Sequence, residues 1–340
     1  MTDRIHRIRD SRVNPSRRTL LGAMGVLPFL GMASAAEAAD PAYPARPIKL
    51  VVPFPPAGAA DIISRLIAEP LGRELGQNVV VENRSGAGGR IGTEAVVRSP
   101  ADGYTLVMGS QATNSVNPEL YTDLPYDPAK DLVPVAPIGG VGNVLYVRNS
   151  LDITTLQQLI DRARANPESL SYGSAGNGGS IHLAMALMEN MTGVRMTHVP
   201  YRGTAPASAD VIGNKIDMLC DVITTGVPQV MGGRVRAIAV TTPQRYPGLP
   251  DVPTFAEAGI PGYEAVSYYG LFAPAGTPAP VLATLRASAL KVLSDQAIAK
   301  KLSEQGIVDL GLTPEAFAGY VAKDRQRWGE VIRKANITAN

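Results

Sequence analysis

Two stretches of the sequence hold residues that could bind a small anion. Each combines an apolar run, a turn of small residues and a helical segment with few charges in its first turn. The first turn contains Phe54, Ala57, Gly58, Ala59, Ala60 and Asp61, and the second contains Ser174, Ala175, Gly176, Gly178, Gly179 and Ser180. Amides at a helix N-terminus lack acceptors within the helix, and the helix dipole favours negative charge there. Two such turns in one chain predict a cleft that holds one small acid from both sides.

Three groups of polar residues near these turns have both a structural and a ligand-binding interpretation. Asp61 could complement the helix dipole, or it could hold the turn or meet a donor group of the ligand. Asp221 follows a predicted strand, where ligands of α/β proteins bind, but it could equally cap the next helix. Ser110, Gln111 and Thr113 also follow a predicted strand, and they could line the crevice or form a polar turn.

His182 and Tyr201 are the remaining candidates for ligand contacts. His182 lies one turn into the helix that follows the second glycine turn, although a lone histidine is more often a core or surface residue. Tyr201 and Arg202 precede another predicted helix. Arg202 could bind a carboxylate with two hydrogen bonds, but a solvated surface arginine is more common.

No motif for catalysis, metal binding or a cofactor occurs in the sequence. The segment 173–176 is not a nucleophile elbow, because Tyr172 stands where that motif requires glycine. The glycines of segment 86–92 miss the dinucleotide-binding spacing, and there is no P-loop. His182 and His198, the two histidines beyond residue 40, match no metal-binding spacing. Cys220 is the only cysteine, which excludes an intrachain disulfide and a cysteine metal cluster. We therefore expect no cofactor, no metal and no catalytic residue.

The first 40 residues have the pattern of an export signal. Arg17 and Arg18 form a twin-arginine motif, an apolar run covers residues 20–36, and small residues follow that suit cleavage. A membrane anchor is the alternative, but the run is shorter than about 20 strongly apolar residues and contains glycine and proline. The sequence predicts a periplasmic protein exported through the twin-arginine route.

The charge balance of the remaining chain excludes an electrostatic surface for nucleic acid. Residues 1–40 hold six arginines and four acidic residues, so the 32 basic and 30 acidic residues of the whole chain become 26 of each. A neutral balance gives neither nucleic acid nor an anionic membrane a general attraction. We expect a monomer that does not bind nucleic acid.

Apolar runs and helical patterns alternate from residue 48 onward, which is typical of an α/β fold. We predict strands at 48–52, 79–82, 105–109, 144–147, 170–173, 216–220, 236–240 and 271–273. We predict helices at 60–75, 91–99, 156–166, 181–192, 205–213, 280–293, 296–305 and 314–334. Proline and glycine loosen the chain around 134–142 and 250–262. If the chain crosses between lobes there, residues 41–145 and 266–340 form lobe 1, and residues 146–265 form lobe 2.

Several short motifs in order along the chain resemble one family of receptors. They are PIKLVVPF at 47–54, VENR at 81–84, GAGG at 86–89, DGYTL at 102–106, YGSAG at 172–176, PYRG at 200–203, LPDVPT at 249–254 and GLFAP at 270–274. Together they resemble the receptors of tripartite tricarboxylate transporters, the Bug-type extracytoplasmic solute-binding proteins. The resemblance covers essentially the whole chain after residue 40.

This resemblance implies a two-lobed type II periplasmic-binding-protein fold, in which each lobe is a mostly parallel sheet flanked by helices. It also implies that the two glycine turns bind the carboxylate of a ligand, directly or through water, and that Asp221 matches a family aspartate. Phe54 and Tyr201 would form apolar walls. The chain departs from the family at residues 57–59, where Ala57-Gly58-Ala59 replaces paired glycines, and at Cys220, where phenylalanine is more usual.

The function predicted from these features is capture of a small organic acid between two lobes and its delivery to membrane permease subunits. Because no lysine is evident among the candidate residues, a mono- or dicarboxylate, including an aromatic one, is favoured over a tricarboxylate. Two alternatives use the same cleft. One is a periplasmic hydrolase that acts on a small acid, and the other is a carboxylate sensor for a membrane kinase.

Overall fold

Residues 43–338 of the chain are described by a computed structural model. The export signal predicted for residues 1–40 lies outside the described residues. The strands are β1 Ile48–Val52, β2 Val79–Asn83, β3 Thr105–Ser110, β4 Leu132–Val141, β5 Asn143–Arg148, β6 Ser171–Ser174, β7 Thr197–Pro200, β8 Met218–Val222, β9 Val235–Val240, β10 Ser267–Pro274 and β11 Ile307–Val308.

Helices connect most of these strands. They are α1 Ala59–Leu75, α2 Arg90–Val97, α3 Asn117–Leu120, α4 Pro128–Asp131, α5 Leu156–Ala165, α6 Ser180–Thr192, α7 Thr204–Ile212, α8 Ile223–Met231, α9 Ala279–Leu293, α10 Gln296–Glu304 and α11 Pro314–Lys334. A 3₁₀ turn spans Ala87–Gly89, and a π-helical segment spans Ala112–Val116. None of the described helices is long and apolar enough to cross a membrane.

The strands form two mixed sheets in which most strands share one direction. The larger sheet has the order β11-β4-β10-β3-β1-β2, and the smaller sheet has the order β7-β6-β8-β5-β9. In the larger sheet β1, β2, β3 and β4 run in the same direction, while β10 and β11 oppose them. In the smaller sheet β5 alone opposes its neighbours. The predicted α/β fold with two mostly parallel sheets is therefore confirmed.

Helices cover both faces of the larger sheet, which explains its continuous apolar strands. Leu50 and Val52 of β1 join a core formed with α1, α9 and α10, whereas Val51 faces a second core that includes Phe317 of α11. Successive side chains of a strand point to opposite faces, so a sheet covered on both sides needs apolar residues at every position. The smaller sheet has its own core, which Trp328 of α11 joins.

The chain passes from the larger to the smaller sheet at Gly142, between β4 and β5, and it returns before β10. Residues 143–145, which the sequence assigned to lobe 1, belong to β5 of the smaller sheet. The chain therefore first passes from one sheet to the other about three residues before the predicted lobe boundary. The division into two lobes stays a prediction as far as its exact limits are concerned.

Candidate functional site

Two cavities that share Phe54 and Tyr269 lie beside the two glycine turns. The cleft cavity, of about 290 Å³, is lined by residues attached to both sheets: Phe54, Gly88, Ser110, Gln111, Ala112, Val116, Asn117, Leu120, Tyr121, Asn177, Gly178, Gly179, Ser180, Leu183, Ser267 and Tyr269. The side cavity, also about 290 Å³, is lined by Phe54, Pro55, Pro56, Gly58, Ala59, Ala60 and Tyr269. Because β1 and β3 are parallel neighbours, the residues that follow them meet at one edge of the larger sheet.

Asp61 holds the first glycine turn through hydrogen bonds of its carboxylate. Its Oδ2 accepts the Ala57 amide at 2.9 Å, and its Oδ1 accepts Arg65 Nε at 3.0 Å and Asn83 Nδ2 at 2.9 Å. These bonds, led by that of Arg65, lower the pKa of Asp61 to about 2. They also hold Ala57 at a φ of 65°, a left-handed conformation that is uncommon for alanine. Asp61 therefore holds the turn and lines neither cavity.

The first turn leaves backbone donors free at the start of α1. Gly58 caps the helix without a side-chain hydrogen bond. The first amide of the helix that donates to a backbone carbonyl is that of Ile62, which donates to Gly58. Within the described residues the amides of Gly58, Ala59 and Ala60 have no acceptor. These amides lie beside the side cavity, where an anion could accept their hydrogen bonds.

The second glycine turn keeps fewer free amides than the sequence suggested. The Gly176 amide donates to Ser174 Oγ at 3.2 Å, and the Gly178 amide donates to His182 Nδ1 at 3.1 Å. Glycine is needed here because the φ values are 135° at Gly176 and 69° at Gly178. The amides of Gly179 and Ser180 have no acceptor among the described residues, and both residues line the cleft cavity.

Nine of the residues predicted to contact ligand line one or both cavities. They are Phe54, Gly58, Ala59, Ala60, Ser110, Gln111, Gly178, Gly179 and Ser180. The other nine do not line either cavity, and their contact with a ligand stays a prediction: Ala57, Asp61, Thr113, Ser174, Ala175, Gly176, His182, Tyr201 and Asp221. Several of these support the lining residues, as Thr113 does by accepting the Ser110 amide through its Oγ1.

Asp221 and Tyr201 belong to the part of the chain that forms the smaller sheet. Asp221 is part of β8 rather than the residue after it, and its Oδ1 and Oδ2 accept hydrogen bonds from Thr225 and Tyr146. Burial raises the pKa of Asp221, as expected for a carboxyl group in a core. The Tyr201 hydroxyl donates to Asp210 at 2.9 Å, and the wall expected from its ring stays a prediction.

Tyr269 is the most prominent lining residue that the sequence did not reveal. It borders both cavities, and its hydroxyl has no hydrogen-bond partner among the described residues. The Tyr269 hydroxyl is protonated at neutral pH and can donate a hydrogen bond, and burial raises its pKa further, to about 12. Our predicted strand began at residue 271, whereas β10 begins at Ser267. Extending the period-two pattern backward places Ser267 and Tyr269 on the face of Leu271.

The lining of the two cavities contains no lysine, arginine, histidine, aspartate or glutamate among the described residues. Gln111 is already engaged, because its Nε2 donates to the Val266 carbonyl at 3.0 Å and its Oε1 accepts Ser267 Oγ at 3.3 Å. Across residues 43–338 no cluster of three or more histidine, cysteine, aspartate or glutamate side chains could hold a metal ion. The chemistry available at this site is hydrogen bonding by neutral groups.

Comparison with known proteins identifies the family. The family model described as "Tripartite tricarboxylate transporter family receptor" matches residues 63–337. The chain belongs to this receptor family. A Pseudomonas sp. protein, described as a UPF0065 protein in the tcbD-tcbE intergenic region, is 40% identical over 86% of the receptor and 87% of its own length. The resemblance inferred from the short motifs is confirmed.

Solved structures of relatives agree with the two-lobed fold of the receptor. A protein from R. palustris, solved with adipate, is 38% identical and has a TM-score of 0.73, covering 87% of the receptor and 99% of that protein. MatC from Rhodopseudomonas palustris, solved with bound malate, is 32% identical with a TM-score of 0.69, covering 85% of the receptor and all of MatC. The receptor is thus a solute-binding protein by family and by fold.

Proposed function

We propose that this receptor captures a small organic carboxylate between its two lobes in the periplasm and delivers it to the permease subunits of a tripartite tricarboxylate-type transporter. The observation that carries the proposal is the pair of glycine turns, from different sheets, whose free amides border two adjoining cavities. The receptor family and the relatives solved with adipate and malate support the same reading.

A carboxylate suits this lining better than a cation or a neutral solute. The free amides of Gly58, Ala59 and Ala60 and those of Gly179 and Ser180 are donors at helix N-termini, where the dipole adds favourable potential. The Tyr269 hydroxyl adds another donor between the cavities. Among residues 43–338 no cation of the lining neutralises a highly charged ligand, so a mono- or dicarboxylate is favoured over a tricarboxylate.

The ligand would close the receptor because it can contact both turns only when the lobes approach. A ligand that binds the closed form better shifts the population toward it. We place the hinge where the chain crosses between the sheets, at Gly142 and between β9 and β10. The proposed receptor works as a monomer, without catalysis or a cofactor, and reaches the periplasm through the twin-arginine route.

A thermal-shift screen followed by calorimetry tests the proposed function. Purified receptor lacking the predicted signal would be heated with adipate, malate, benzoate, citrate and, as a cationic control, putrescine. A ligand that binds only the folded state raises the melting temperature. We expect adipate, malate or benzoate to bind with micromolar affinity and putrescine to have no effect. Stabilisation by putrescine, or by none of the acids, would contradict a carboxylate receptor.

A further inference from the structure

A third cavity, of about 520 Å³, is lined by two histidines that contact the second glycine turn. Its polar lining includes Tyr172, His182, Glu189, Arg195, His198 and Lys334. The His182 and His198 rings are stacked with their centroids 3.9 Å apart and their planes 18° apart. Tyr172 stacks on the His198 ring at 5.0 Å. Two stacked imidazoles therefore lie directly against the second glycine turn.

Both imidazoles are hydrogen-bonded to the turn itself. His198 Nε2 lies 2.6 Å from Ser174 Oγ, which also accepts the Gly176 amide. His182 Nδ1 accepts the Gly178 amide at 3.1 Å. The turn is thus held near its beginning by one histidine and near its end by the other. Gly179 and Ser180, which follow directly, carry the free amides of the cleft cavity.

We propose that His182 and His198 are positioning residues of the receptor: as a neutral stacked pair they fix the turn from Ser174 to Gly178, and a proton on His182 releases the turn and weakens ligand binding. The effect on ligand binding rests on the proposed carboxylate function. Neither histidine lines the cleft cavity or the side cavity, so both act through the backbone of the turn.

The bond to Gly178 determines where the proton of His182 must lie. A neutral imidazole has one donor and one acceptor nitrogen, and Nδ1 can accept the Gly178 amide only if the proton is on Nε2. Protonation of Nδ1 turns the acceptor into a donor that faces another donor. The turn would then lose the bond that holds Gly178 in its left-handed conformation.

The surroundings of the pair oppose its protonation. Burial and the adjacent His198 lower the pKa of His182 to about 4, and burial lowers the pKa of His198 as well. Arg195 and Lys334 line the same cavity and add positive charge, whereas Glu189 is the one acidic group in its lining within the described part of the chain. Glu189 Oε1 accepts the Met196 amide, its Oε2 lies 3.3 Å from the Tyr172 hydroxyl, and burial raises its pKa. The pair is therefore neutral at neutral pH.

Two variants separate the acceptor from the ring. In His182→Asn the side-chain oxygen can occupy the place of Nδ1, so the acceptor is kept without a titrating group. In His182→Phe the stacked ring is kept without an acceptor. The ¹⁵N-labelled receptor without ligand would be measured for the exchange rate of the Gly178 amide, and long-range ¹H–¹⁵N spectra would give the tautomer of His182.

We expect wild type to carry the His182 proton on Nε2, with a slowly exchanging Gly178 amide that His182→Asn preserves. His182→Phe should exchange about tenfold faster, the factor expected for loss of one hydrogen bond. Its adipate affinity should fall by a similar factor, with His182→Asn close to wild type. Between pH 7 and pH 3.5, a range that includes the pKa of His182 of about 4, wild type should lose more adipate affinity than His182→Asn, which keeps the acceptor without the titrating imidazole.

Three results would overturn the positioning role. They are an Nδ1-protonated tautomer in wild type, equal Gly178 exchange in His182→Phe and wild type, and equal pH profiles of wild type and His182→Asn. If His182→Phe does not fold, the tautomer and the His182→Asn pH profile decide. If adipate does not bind wild type, the proposed function is contradicted for adipate. The exchange rates measured without ligand would still decide whether the histidines hold the turn.

Discussion

Asp61 controls the first glycine turn without touching either cavity. Its two oxygens accept three hydrogen bonds, from Ala57, Arg65 and Asn83, which fix the entry into α1. The type of residue and its place in the first helical turn were visible in the sequence. The partners were not, because Asn83 is 22 positions away on β2. The sequence left helix-dipole complementation and turn formation open, and the contacts favour turn formation.

We predict that Asp61→Asn lowers the free energy of unfolding by about 1–3 kcal/mol, the cost of leaving buried donors badly matched. The pKa of Asp61 in the folded state, about 2, lies below its ordinary value, so its contribution to stability is complete above about pH 4 and is lost as the pH falls toward 2. Urea unfolding of wild type and variant between pH 2 and 6 measures the difference.

The stability difference between wild type and Asp61→Asn should therefore shrink as the pH falls. Asp251→Asn is the matched control, because Asp251 is exposed and makes no hydrogen bond or ion pair in the described part of the chain. A difference for Asp61→Asn that stays constant from pH 6 to pH 2 would contradict the role given to its carboxylate.

Substitution of Gly58 or Gly179 tests whether the ligand closely approaches these residues, without introducing backbone strain. Their φ values are −81° and −71°, which any residue adopts, and an added Cβ would lie 3.5 Å or more from its neighbours. Gly178 is unsuitable, because it is left-handed and an added Cβ would lie 3.1 Å from Leu120. We predict that Gly58→Val or Gly179→Val weakens carboxylate binding by more than about 2 kcal/mol, comparable to loss of a charge-assisted hydrogen bond.

Calorimetry with the tightest acid of the thermal-shift screen measures this loss. Gly319→Val provides the control, since Gly319 is exposed on α11 with open space around its Cα. The control should bind as wild type does. Unchanged affinity in both Gly58→Val and Gly179→Val would place the carboxylate elsewhere in the receptor.

At the scale of elements, periodic segments were predictable and the glycine-rich strand β4 was not. The predicted strand 48–52 and helix 314–334 have the limits that the structure gives them. Pro134, Pro137, Gly139 and Gly140 suggested a linker, yet they belong to β4. The pairing of β4 with β10 shifts register twice, next to the two prolines, so bulges accommodate residues that a regular ladder excludes.

The glycines of β4 serve packing that only the tertiary structure reveals. A Cβ on Gly140 would lie 2.2 Å from Val266 Cγ1 and 3.0 Å from Leu310 Cδ2. Prediction of the second glycine turn was limited in a similar way. The sequence predicted its small residues, but it could not tell which backbone amides would donate to Ser174 and His182. Side-chain orientation across distant segments decides both cases.

We predict that Gly140→Ala destabilises the receptor by about 1–3 kcal/mol through overpacking. Val266→Ala removes the atom that the new methyl group would meet, so the double variant should recover part of the loss. Urea unfolding of the four proteins in this cycle measures the coupling. Additive effects of the two substitutions would show that Gly140 and Val266 are not in contact.

At the scale of the whole molecule, α11 connects the packing of both sheets. Phe317, near its start, lies in a core of the larger sheet, and Trp328, near its end, lies in the core of the smaller sheet. Trp328 Nε1 donates to Asp324 Oδ1 at 2.9 Å, which fixes the indole in this core. A relative movement of the lobes must therefore change the surroundings of α11.

The last prediction concerns closure. The tightest acid of the screen should reduce the radius of gyration measured by X-ray scattering, because the proposed ligand would contact both glycine turns only in the closed form. Trp328 is the only tryptophan of the chain, so its fluorescence is a second, independent measure of movement around α11. Gly319→Val should respond like wild type. The double variant Gly58→Val/Gly179→Val should neither compact nor change its emission at the same acid concentration. Calorimetric binding by wild type without any change in scattering or fluorescence would show that the receptor binds the acid without closing.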